Sequence, residues 1–233
     1  MAILPTGAIE AHGPHLPLDT DGIIARAMAR EGAQRLAEHD LDVVILPTMS
    51  YASAPFAQAF AGTVSVNPMA VAGIVLDVAR AMGAHGAAVL ALANAHLDPM
   101  HVGCLAHAVK EAEADRLVPI VFPDLTRKPW ALRLTEEFRS GAAHAGRYES
   151  SVIMAERPDL VRDDVRRALA PNPSSLSDAI REGKQDFEEA GGPDAYFGYP
   201  AEATAEEGRD TVRILGEILE EAVMGVLKDG GSE

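Results

Sequence analysis

The sequence predicts an α/β fold in which a mostly parallel sheet is covered by helices on both faces. Short runs rich in Val, Ile, Leu and Ala alternate along the chain with longer segments whose apolar residues recur at helical spacing. Strands buried on both sides read as continuous apolar runs of this kind, and their alternation with helices is the pattern of parallel crossover units. At 233 residues the chain is long enough to bury one large core, and residues 1–233 are read as one domain.

The elements follow in order. Met1-Ala2-Ile3-Leu4 reads as a buried strand, and Pro5, Gly7, Gly13, Pro14 and Pro17 stop any regular element from continuing through the next segment. Residues 22–38 carry apolar positions at helical spacing, and 42–47 form a short β-rich run. Residues 68–83 read as a helix, 86–93 as a buried strand, 100–115 as a further helix and 118–122 as a further strand. The segment 170–200, rich in Pro, Gly, Ser and Asp, is expected to be a long surface excursion. Residues 201–228 give an amphipathic closing helix with Val212, Leu215, Ile218, Leu219 and Val223 on its apolar side. The first residues already belong to a core strand, so an upstream piece or a neighbouring subunit is expected to cover its N-terminal side.

Composition narrows the class. A hydrophobic content of 48% with 24% charged residues is that of an ordinary globular protein. The formal net charge of −15 argues against nucleic acid or an anionic membrane as partner. No apolar run is long enough to span a bilayer, and no signal-peptide pattern is present. With a single cysteine, Cys104, no intramolecular disulfide forms, and a cytoplasmic location is expected. Cys104 itself is read as a small buried hydrophobe.

Chemistry concentrates in the loop after the first strand, Gly7-Ala8-Ile9-Glu10-Ala11-His12-Gly13-Pro14-His15, followed by Asp21. Loops leaving buried strands are where α/β proteins place their reactive groups. Glu10 and His12, two residues apart, with Asp21 a few residues on, offer nitrogen and oxygen ligands without thiolate, a set suited to Zn or Mn. Asn94, His96 and Asp98 follow the strand at 86–93, and parallel strands bring them to the same rim as Glu10, His12 and Asp21; alternatively His96 only caps the helix that follows. His144 sits in a Gly- and Ala-rich loop. It is either structural or, paired with Glu149, a proton donor. His39, His85, His101 and His107 are read as structural.

In these blocks the chain resembles the creatininase family of metal-dependent amidohydrolases. The resemblance rests on Pro5-Thr6-Gly7-Ala8-Ile9-Glu10-Ala11-His12-Gly13-Pro14-His15-Leu16-Pro17 with Asp21, Gly62-Thr63-Val64-Ser65-Val66, Asn94-Ala95-His96, His144-Ala145-Gly146 with Glu149-Ser150-Ser151, and Gly198-Tyr199-Pro200-Ala201-Glu202-Ala203-Thr204. It implies a three-layer α/β/α sandwich with a dinuclear metal centre at the strand ends, in a homo-oligomer, a hexamer, acting on a small-molecule substrate. Carried over by position, Glu10, Asp21 and His96 hold one divalent ion. His12, the shared Asp21 and Asp98 hold the second. The ions are Zn or Mn, with Fe a further option. His144 matches the catalytic histidine, Glu149 an acidic residue behind it, and His15 a group that fixes the loop. The turn Asn94-Ala95-His96-Leu97-Asp98-Pro99 departs from the family's Asn-Gly-His-Gly-Gly-Asn or His-x-Glu forms, losing the glycines and offering a shorter carboxylate. The implied activity is cleavage of a cyclic or small linear amide C–N bond by metal-activated water. Attack on a C–C, lactone or peptide bond at the same centre, or a non-catalytic chain that has lost its second metal, are the alternatives.

Overall fold

The computed structural model describes residues 1–229. Four parallel strands, β1 (Ala2–Thr6), β2 (Val44–Ile45), β3 (Leu90–Asn94) and β4 (Ile120–Val121), lie in the order β2-β1-β3-β4. Each expected strand is present, and β2 and β4 are shorter than their apolar runs. The central pair is paired along its whole length, from Ala2 opposite Leu90 to Thr6 opposite Asn94.

Side chains alternate across a strand, so the sheet divides its apolar residues between two layers. Ile3, Ala91, Ala93 and Val121 face α1 (Thr20–Ala37), α5 (Arg147–Glu156) and α8 (Ala205–Asp229), meeting Met28, Val152, Leu215 and Ile218. Ala2, Leu4, Leu90, Leu92 and Ile120 face α2 (Pro68–Ala84) and α3 (Pro99–Ala114), meeting Val71, Val75, Leu105 and Ala108. The result is the three-layer α/β/α architecture. Full burial of a side chain such as Leu92 stabilises by about 1.5–3 kcal/mol, so the central strands are fixed firmly enough to aim the loops that leave them.

Two helices start by the same device. Asn67 precedes Pro68 and accepts from Met69 N–H, while Asp98 precedes Pro99 and accepts from Met100 N–H. A short polar side chain at the N-cap satisfies a donor the helix cannot, and proline at the next position gives up none.

The region between β4 and α8 contains α4 (Glu136–Ser140), α5, α6 (Asp163–Ala168) and α7 (Leu176–Arg181). Residues 170–200 run over the surface, as their composition suggests, but they are anchored there. Ala179, Phe187, Ala190, Ala195 and Phe197 are buried in one cluster with Ala57 and Ala142. The segment is tied down through its backbone: Phe187 N–H donates to Phe56 O, Phe197 N–H to His144 O, and Asn172 N–H to Gly198 O.

Candidate metal centre

The carboxyl ends of β1 and β3 lie side by side, with Thr6 Oγ1 donating to Asn94 Oδ1 at 2.9 Å. Glu10 and His12 leave one end, His96 leaves the other, and Asp21 lies in the first turn of α1. Gly7 permits the approach of loop to helix, since a Cβ there would lie 2.6 Å from Gly22 N and 2.8 Å from Asp21 Cβ. Ala8 N–H then donates to Asp21 Oδ2 at 3.2 Å. His144 and Glu149 arrive from the loop before α5 and its first turn.

All six side chains are buried and converge. His96 Nδ1 is 3.0 Å from Asp21 Oδ2 and 3.3 Å from Glu10 Oε1. His12 Nε2 is 3.2 Å from Asp21 Oδ1, 3.6 Å from Glu149 Oε2 and 3.7 Å from Glu10 Oε1. Asp21 thus presents one oxygen to each of two imidazoles. The far nitrogen of each ring lies on a backbone carbonyl: His96 Nε2 on Ser53 O at 2.9 Å, His12 Nδ1 on Glu10 O at 3.1 Å, and His144 Nε2 on Ala11 O at 3.0 Å. A carbonyl only accepts, so it fixes the N–H on that side and turns the other nitrogen inward, as ligand-orienting partners do. His144 Nδ1 accordingly faces the cluster, 3.7 Å from Glu10 Oε1.

The cluster sets burial against charge. Burial opposes a charge on His12, but Asp21, Glu149 and Glu10 outweigh it and carry the imidazole up to about 10. His96 is raised well above its usual range in the same way, burial being overcome chiefly by Glu10 and Asp21. Burial pushes Glu149 up to about 8 against the pull of His12. Burial and the neighbouring His12 charge take His144 down to about 4, so it is neutral at pH 7.

Three carboxylates gathered in the interior call for cationic partners. His12 Nε2, buried and without a hydrogen-bond partner, points into their midst. Two triads have ligand atoms all within 4.8 Å of one another and share Asp21: Glu10–Asp21–His96 and His12–Asp21–Glu149. Glu10, His12 and His144 form a third. The donor set therefore fits divalent ions bound by nitrogen and oxygen.

The second triad differs from the sequence expectation. Glu149 stands beside His12 and Asp21, whereas the Asp98 carboxylate accepts Met100 N–H at 2.8 Å and Phe56 N–H at 3.3 Å and joins no triad among the described residues. The cause is the proline: Asp98-Pro99 starts a helix, and the cap competes for the carboxylate. Asp98 still lines the cavity over the cluster, with Phe56, Leu97, Leu176, Ile180 and Phe187. That cavity, about 50 Å³, has room for about three or four water-sized groups. Phe187 packs over His144 with ring centroids 4.3 Å apart. His15 holds the loop to α5 through Ser150 Oγ at 2.9 Å. His101 is buried against Asn94 Oδ1 at 3.0 Å, and His39 lies on Glu220 at the surface. The wall residues Leu176, Ile180 and Phe187 carry no sequence signal beyond isolated apolar positions in a polar stretch.

Comparison with known proteins places the chain in a family. The family model described as creatininase, creatinine amidohydrolase, matches residues 1–223. A protein of Mycobacterium tuberculosis named mycofactocin precursor peptide peptidase is 32% identical over 97% of this chain and 84% of its own length. A creatinine amidohydrolase of Pseudomonas putida is 27% identical over 75% of this chain and 70% of its own. Among solved structures, a mutant creatininase complexed with creatine superposes with a TM-score of 0.72 at 22% identity, covering 96% of this chain and 90% of that one. A manganese creatininase gives 0.72 at 23% identity, covering 96% and 89%. No helix among the described residues is long and apolar enough to cross a membrane. The chain, in sequence as in fold, belongs to the creatininase family of hydrolases.

Proposed function

We propose that this chain is a dinuclear metal-dependent hydrolase of amide C–N bonds, and that its substrate bond is a peptide bond. The observation that carries the metal assignment is Asp21, whose two oxygens each face a different imidazole with a further carboxylate beside each. Glu10, Asp21 and His96 are assigned to one ion, and His12, Asp21 and Glu149 to the other. The peptide assignment is supported by the mycofactocin precursor peptide peptidases, which match nearly the whole chain.

Divalent ions such as Zn or Mn, when bound, supply a Lewis acid and bring the pKa of water down to about 7 in favourable sites. The chain supplies the rest. His144, neutral and with Nε2–H held by Ala11 O, presents Nδ1 to accept the proton of the attacking water. It then returns that proton to the departing nitrogen, a role worth about 10²–10⁴ in rate. Glu10 Oε1 lies close enough to Nδ1 to stabilise the imidazolium between these steps. Phe56, Leu97, Leu176, Ile180 and Phe187 keep bulk water away and strengthen every charge interaction inside. Asp98 holds the start of α3 and the Phe56 loop in place.

A second reading, hydrolysis of a small non-peptide amide, is favoured by the relative named creatinine amidohydrolase. Product release from panels of short peptides, cyclic amides and lactones separates the two. Peptides alone should turn over, dependent on added Mn²⁺ or Zn²⁺ and abolished by a chelator. Turnover of cyclic amides alone rejects the peptide assignment, and turnover of nothing by a chain holding one ion identifies a non-catalytic member.

A further inference from the structure

Behind the centre lies a buried carboxylate with no part in the ligand triads. Glu137, on α4, is 4% exposed. Its Oε1 accepts Arg147 N–H at 2.9 Å and Tyr199 N–H at 2.7 Å, and its Oε2 accepts Tyr148 N–H at 2.6 Å. Arg147 and Tyr148 are the first two residues of α5, whose own N-cap position is Gly146, a residue without a side chain. Glu137 therefore caps α5 from outside, with its negative charge on donors the helix leaves open and at the positive end of its dipole.

The residues fixed this way are the ones that carry the chemistry. His144 lies between α4 and α5, and Glu149 lies one residue beyond Tyr148. Phe197 N–H grips His144 O at 2.8 Å, two residues before the Tyr199 N–H that Glu137 holds. Ala145, between His144 and Gly146, takes the left-handed conformation with φ 51°, which a non-glycine residue keeps only where its surroundings insist on it. The Ala145 N–H donates to Glu149 Oε2 at 2.6 Å. Two glycines of the sequence blocks now have a reason. A Cβ on Gly146 would strike Phe197 O and lie 2.6 Å from Glu137 Oε1, and one on Gly198 would strike the same carboxylate oxygen.

We propose that Glu137 is a positioning residue for the metal centre: by gathering the backbone N–H groups of Arg147, Tyr148 and Tyr199 it sets the places of His144 and of the ligand carboxylate of Glu149. This rests on the assignment of Glu149 to the second ion. Glu137→Gln keeps the shape but puts an amide N–H₂ against a backbone N–H donor. Gly146→Ala, at φ −87°, keeps an ordinary φ and pushes a methyl against both the same carboxylate and Phe197 O, so Glu137→Gln is the more specific of the two.

The test is cobalt titration of the full chain, wild type and both variants, followed by visible absorption and chelator competition, with Glu136→Gln as an exposed neighbour control. Both variants should weaken the second Co²⁺ about 10–100-fold, the range seen when a ligand's outer partner is lost, and alter its absorption bands. On whichever panel substrate turns over, kcat should fall with KM changed less than about twofold. Folded variants that bind Co²⁺ with the wild-type affinities and spectrum overturn the proposal, however much their melting temperature drops. Failure of both variants to fold also counts against it, leaving Glu137 a purely structural role. If no panel substrate is cleaved, the hydrolase assignment fails while the cobalt spectra still decide the role of Glu137.

Discussion

Loading the centre with metal should release protons, and the number follows from the buried charges. In the metal-free protein at pH 7, His12 holds a proton up to about pH 10 and Glu149 up to about pH 8, while His96 is raised well above its usual range by Glu10 and Asp21. Glu10 and Asp21 are ionised, each held low against the cost of burial by the imidazoles that face it. The cluster is then two imidazolium groups, two carboxylates and one carboxylic acid, without net charge. Two ions bound by the deprotonated groups displace about three protons, from His12, His96 and Glu149. Any ionisation of solvent in the filled site adds to that number. Since each displaced proton is worth about 1.36 kcal/mol per pH unit, the combined affinity for two ions should rise by about 4 kcal/mol, or about a thousandfold, per unit between pH 6 and 7. Calorimetric titration of the metal-free chain with Mn²⁺ in two buffers of different ionisation enthalpy counts the protons directly. His12→Gln should remove about one of them. Affinity independent of pH over this range, or no proton released, refutes the assignment of these groups as ligands.

His144→Ala should lower kcat by about 10²–10⁴ while elemental analysis still finds two ions, because the ring nitrogen that faces the cluster serves proton transfer. Asp98→Ala should cost about 1 kcal/mol through loss of the α3 cap, a fall of about 2–4 °C in thermal midpoint, with metal content unchanged. In the metal-free protein, stability should decline from pH 7 towards pH 10. The proton of His12, bound below its folded value of about 10 but released in the unfolded chain above about 6.5, stabilises the fold at low pH and is lost through that window; chemical denaturation at several pH values, with and without metal, checks this. Leu92→Ala should destabilise by about 2–5 kcal/mol in the same assay without changing metal stoichiometry, since that side chain fills the layer between the sheet and α2 and α3.

The strands are legible in the sequence because they are buried on both faces, which leaves an apolar run that no surface element imitates. Glu10, His12 and Asp21 are legible because a single loop and a first helical turn carry them. His96 joins them once β1 and β3 are taken as parallel. Glu149 is the harder residue. Its position depends on the packing of α5 against α1 and α8 and on the His15–Ser150 contact, none of which is local in sequence. Asp98 has two competing meanings, a carboxylate near a strand-end histidine and a cap before proline; Asn67-Pro68, which starts α2 in the same way, is the signal that points to the second. Residues 170–200 are polar enough to suggest a free excursion, yet Phe187 and Phe197 hold them over the centre through backbone bonds that composition does not register. Glu137 leaves no trace in the sequence for a related reason: its partners are main-chain N–H groups, which every sequence has.

The most direct measurement is anomalous X-ray diffraction from crystals grown with Mn²⁺ or Zn²⁺. Two peaks should flank the Asp21 carboxylate, one also touching Glu10 and His96 and the other His12 and Glu149, with Asp98 still on the backbone of Met100. A single peak, peaks away from Asp21, or Asp98 in the place of Glu149 would contradict the account.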